Sequence, residues 1–77
     1  MYPGMEREEQ VKWVLSILES NGGAVWKSAL VAKAIGHLGL PHTAAYDLIN
    51  GHVVGAGLAV QVMKNGHATI VLVRQGP

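Results

Sequence analysis

The sequence contains no cysteine, no phenylalanine and only one aspartate. Without cysteine there is no disulfide, no thiolate metal site, no thiol redox chemistry and no cysteine nucleophile. Charge is scarce as well: 14% of the 77 residues are charged, against about 25% in ordinary soluble domains. Long apolar runs are missing, since the longest uncharged stretch, residues 48–63, carries Asn50, His52, Gln61 and three glycines. Such a stretch is too polar and flexible to span a bilayer. The first residues show no basic region followed by an apolar one, so a secretory signal is not expected. A cytoplasmic protein is therefore expected, with residues 1–5 as a flexible leader and residues 6–75 as one domain.

Apolar residues make up 49% of the chain, a composition that opposes disorder. A domain of this size hides only about 60% of the surface its unfolded chain exposes. With so little charge to solvate the remainder, some of that surface is expected to be covered by a partner. The net charge is +1, unevenly spread. Residues 1–20 set Glu6, Glu8, Glu9 and Glu19 against Arg7 and Lys12, a net of −2. Residues 21–77 set Lys27, Lys33, Lys64 and Arg74 against Asp47, a net of +3, and hold all four histidines. The asymmetry fits a face for an acidic partner such as nucleic acid, and equally an ordinary solvated surface.

Val11, Val14, Leu15 and Leu18 recur at helical spacing, with Trp13 and Ile17 widening the stripe, which predicts a helix over residues 6–20. Asn21, Gly22 and Gly23 end it. Residues 24–26 read as an extended link or a minimal strand. Ser28 is expected to cap a second helix over residues 29–35, and residues 36–40 to form a turn. Pro41 is expected to open a third helix over residues 42–56, with Ala45, Leu48, Ile49, Val53 and Ala56 inward and Thr43, Tyr46, Asp47 and Asn50 outward. Past Leu58 the period changes. Two runs rich in β-branched residues flank Asn65-Gly66, the pair that a type I′ hairpin turn requires.

Three helices, a tight turn between the second and third, and a closing β-hairpin resemble the winged helix-turn-helix superfamily, an α+β fold with the hairpin as its wing. The residues that carry the likeness are Leu40-Pro41-His42-Thr43, then Leu48-Ile49, then Gly55-Ala56-Gly57-Leu58, then Asn65-Gly66. Small prokaryotic or archaeal transcriptional regulators are nearest in style. The resemblance implies a DNA-binding protein that reads duplex DNA with its third helix and wing. It also turns Tyr46 partly inward, where periodicity turns it outward. Members that read DNA usually carry several Arg or Lys on the third helix, whereas this chain has none there and carries Asp47.

In a major groove the first turns of the third helix approach base edges, and His42, Thr43, Tyr46 and Asn50 are spaced to project there. Lys64 and His67 at the hairpin, with Lys27 and Lys33 around the second helix, are expected at phosphates. The plainer alternatives are that Thr43 caps a helix, Tyr46 is half core and the lysines are solvated. Trp13, Ile17 and Trp26 are expected at a homodimer interface. No metal site is expected, because the histidines sit on separate elements without close-spaced pairs. No cofactor is expected, and no catalytic group assembles around Ser16, Ser20, Ser28 or Asp47, so an enzyme is not expected. The competing class is a winged helix used for protein–protein contact, as an adaptor or a subunit of a larger assembly.

Overall fold

The computed structural model describes residues 6–73. The expected leader and the last two residues of the expected domain lie outside the described residues. Helix α1, Arg7–Ser20, buries Val14 and Leu18, and packs Val11, Trp13, Leu15 and Ile17 against the same core. Glu8 and Glu9 occupy its first turn, where the helix dipole favours anions. At its end the Gly23 amide donates to the Leu18 carbonyl at 2.8 Å and the Gly22 amide to the Glu19 carbonyl at 3.2 Å. This Schellman closure needs a left-handed residue, and Gly22 supplies it at φ 79°.

Residues 24–26 are a strand, β1 (Ala24–Trp26), followed at once by helix α2, Lys27–Leu38. The start two residues before Ala29 corrects the sequence expectation, and no side chain caps the helix. Strand pairing holds the chain up to Trp26, and the helix takes over at the next residue, so Ser28 falls inside the first turn. The far end also differs, because α2 runs through Gly36 to Leu38. Burial of Leu38 outweighs the cost of about 1 kcal/mol for a helical glycine. Gly39, at φ 69°, closes the helix by donating to the Ile35 carbonyl at 3.1 Å.

The third helix is not uniform. It opens as α3, His42–Asp47, with Pro41 just before it, and continues as a π-helix, Leu48–Val54. The Gly55 amide donates to the Asn50 carbonyl at 2.8 Å, five residues back. The end is closed as in α1, the Leu58 amide donating to the Val53 carbonyl and the Gly57 amide to the Val54 carbonyl, both at 3.0 Å, with Gly57 left-handed at φ 79°. The wider turn keeps Ala45, Leu48, Ile49 and Val53 buried but shifts the phase beyond them. Ala56, expected inward, is consequently exposed.

Strands β2, Ala59–Lys64, and β3, His67–Leu72, form the hairpin around Asn65-Gly66, at φ 53° and 78°. Both values are positive, as a type I′ turn demands. β3 also pairs antiparallel with β1, through Ala24–Val71, Val25–Ile70 and Trp26–Thr69. The sheet is therefore three-stranded, in the order β1-β3-β2. Its inner face carries Ile70, Ala59, Val25 and Leu72 against the helices. By alternation, Trp26, Val60, Val62, Lys64, His67, Thr69 and Val71 occupy the outer face. The architecture is α+β: helices on one side of an antiparallel sheet. Among the described residues no helix is long and apolar enough to cross a membrane.

Candidate functional site

A continuous line of side chains joins α3 to the hairpin. His42 and Thr43, both exposed, lie in the first turn of α3. The His42 ring meets Tyr46 edge-on, with centroids 4.7 Å apart at 78°. Tyr46 is half-buried against the core, as the resemblance implied, and presents its ring to Lys27, whose Nζ lies 5.5 Å from the ring centre. That Nζ also donates to Oε1 of Gln61 on β2 at 3.0 Å. Lys27 is thus oriented by contacts to two other elements, and its half-buried stem packs between them. Gln61 was not among the residues singled out from the sequence, because only the fold brings it to Lys27.

Asp47, the acidic residue of the third helix, has its own partners. Its Oδ2 is 3.5 Å from Nε2 of His52, and the same His52 nitrogen is hydrogen-bonded by Arg7 from α1. Residues five apart are brought alongside by the π turn, so Asp47 and His52 meet. Arg7 reaches the carboxylate only through His52, which brings a guanidinium from α1 near it. Nothing in the sequence signals this cluster, since Arg7 belongs to the acidic end of the chain. Asn50 is exposed in the π-helix, between Asp47 and His52.

Lys33 takes a different position. It lines a shallow groove of about 390 Å³ with Trp13, Ile17, Gly36 and His37, where α1 meets α2. Residues expected at phosphate and residues expected at a dimer interface therefore share one surface. Trp13 is half-buried and stacks on His37, with centroids 5.1 Å apart and planes within 8°. Trp26, expected beside Trp13 and Ile17, instead makes its ring contact with His67, at 4.5 Å and 15°. It is 54% exposed on the outer sheet face. Lys64 is exposed and pairs with His67 across the turn.

Ser16 and Ser20 donate their hydroxyls to carbonyls of their own helix, at 2.7 and 3.0 Å. Among the described residues no three His, Asp or Glu side chains converge on a point that could hold a metal ion. A hollow of about 860 Å³ beside the C-terminal half of α1 has Leu15, Leu58 and Leu72 in its lining, and Glu19 is the ionisable side chain there among the described residues. Compared with known proteins, the chain matches no family model, no curated protein sequence and no solved structure.

Proposed function

We propose that this chain is a winged helix-turn-helix protein that binds duplex DNA, a small transcriptional regulator with the third helix and the hairpin as its reading surface. The observation that carries the proposal is the His42–Tyr46–Lys27–Gln61 line, which ties the first turn of the third helix to the hairpin strand. Groove-directed His42 and Thr43 would thereby be held in register with phosphate-directed Lys64. The cluster of Asp47, His52 and Arg7 supports the reading too, because it sets a cation near the one negative charge on that helix. Asn50 supplies a side-chain amide of the type that pairs with adenine. The protein acts as a homodimer joined across Trp13 and Ile17, in the groove that also contains Lys33.

One observation favours a second reading. Residues 42–54 carry no Arg or Lys, which suits a winged helix devoted to protein contact. A duplex titration at several salt concentrations separates the two. With Lys27 and Lys64 at phosphates, the log–log salt slope is expected near −2 per subunit. Lys64→Ala should weaken all duplexes alike, while Asn50→Ala should relax sequence preference. Absence of duplex binding at low salt leaves the protein-contact reading.

A further inference from the structure

The outer face of the sheet is not covered by any described element, and it is unusual in two respects. Its apolar residues are prominent, with Trp26 54% and Val60 45% exposed. Among the described residues its ionised side chain is Lys64 and no carboxylate lies on it; the acidic ones sit on α1, at its N-cap or on α3. A soluble surface of this kind is ordinarily matched to a partner.

The geometry of Trp26 narrows the partner. Trp26 pairs with Thr69 across the β1–β3 ladder, so His67, two residues from Thr69, is its diagonal neighbour on the same face. Their rings are parallel within 15° at 4.5 Å. His67 therefore covers one face of the indole. Trp26 remains 54% exposed with that face covered, which leaves flat π surface for a ligand. Thr69, buried to 3% between its cross-strand partners Trp26 and Val62, gives the ring a closed floor.

We infer that the open face of Trp26 is a stacking site for an unpaired nucleobase, so that the outer sheet face binds single-stranded nucleic acid, with Lys64 beside the strand's phosphates. Every base offers a π face, so stacking of this kind tolerates sequence, and a cationic neighbour follows the backbone. A stacked aromatic pair beside a lysine, on a face without a carboxylate among the described residues, suits a polyanion of flat rings better than it suits an apolar helix. The inference extends the nucleic-acid reading above, but it concerns another surface and another form of nucleic acid.

The test titrates the native chain with a short oligothymidylate strand and with a closed dumbbell duplex that has no free ends. The Trp13→Phe protein, in which Trp26 is the one indole, serves only for the fluorescence reading with the strand. The strand is expected to quench Trp26 emission in a saturable, salt-sensitive manner. Trp26→Ala is expected to lower strand affinity about tenfold or more, read by anisotropy of a labelled strand, with dumbbell affinity unchanged. Trp26→Phe keeps a ring and should retain most of the strand affinity. Circular dichroism confirms folding, and if Trp26→Ala fails to fold, Val60→Glu replaces it by setting a carboxylate on the same face, with the same expected loss. Unchanged strand affinity in the folded variants overturns the inference and leaves duplex binding standing. Strand binding without dumbbell binding upholds it and removes the duplex reading. Failure of both ligands to bind removes both. Dissociation of a dimer by Trp26→Ala, with strand affinity unaltered, assigns the face to a second copy and overturns the inference.

Discussion

A Cβ built on Gly55 would lie 2.5 Å from the Gly51 carbonyl oxygen and 3.0 Å from that of Asn50. The obstruction is backbone, held by the i→i−5 bonding of the π-helix, and cannot swing aside. Gly55→Ala is therefore expected to destabilise the protein by about 1–3 kcal/mol, read as a lower urea midpoint. Gly36→Ala is the control. Nothing lies within 4 Å of the corresponding Cβ, the backbone is helical, and a gain of about 0.5–1 kcal/mol is expected. The same replacement has opposite signs at the two positions, which the sequence does not show. There, Gly36 reads as part of a turn and Gly55 as a position inside the third helix, the reverse of what each tolerates. Asn65-Gly66 was legible because the demand for positive φ is local to the turn, whereas the need for glycine at 55 depends on how the preceding turn is wound.

At the scale of elements, the Arg7–His52–Asp47 cluster links α1 to the third helix. Exposed ion pairs are worth about 0–1 kcal/mol, so Arg7→Gln should change stability by less than about 1 kcal/mol. Its effect on DNA affinity is expected through Asp47. Asp47→Asn should raise duplex affinity modestly in the native background and by a larger factor, up to about fivefold, when Arg7 is already Gln. A double-mutant cycle followed by anisotropy measures the difference, and strict additivity would show that Arg7 does not screen the carboxylate. The long helix α1 and the hairpin were readable from period and turn chemistry. The cluster was not: an α-helical reading makes residues four apart neighbours, while Asp47 and His52 are five apart. Lys27 was singled out for its charge, but its orientation depends on Gln61 and Tyr46, which come from two other elements.

For the whole molecule, the groove at the α1–α2 junction sets Ile17 beside Trp13 and Lys33. If two copies pair there, one charged substitution acts twice across the axis. Ile17→Glu is expected to convert a dimer to a monomer by sedimentation and to lower duplex affinity at least about tenfold, with circular dichroism retained. A native chain that sediments as a monomer at micromolar concentration would defeat the pairing. The α+β order of three helices and a closing hairpin followed from the sequence, since hydrophobic period distinguishes helix from strand. The third strand did not follow, because three residues carry no period and their partner is remote.

The strand order β1-β3-β2 has a consequence for how the protein is made. The middle strand of the sheet is the last to leave the ribosome, and both outer strands hydrogen-bond to it alone. During synthesis β1 and β2 therefore wait without partners, while α1 and α2 can already begin to pack. Val25 must then find Ile70, 45 positions further along the chain, a closure that slows folding more than it weakens the finished sheet. A nascent chain stalled anywhere before His67 holds an unpaired β1 and an unclosed hairpin, the exposed edges on which chaperones and aggregation compete. Arrest at successive lengths, followed by protease challenge, should show protection rising in one step once β3 has cleared the exit tunnel.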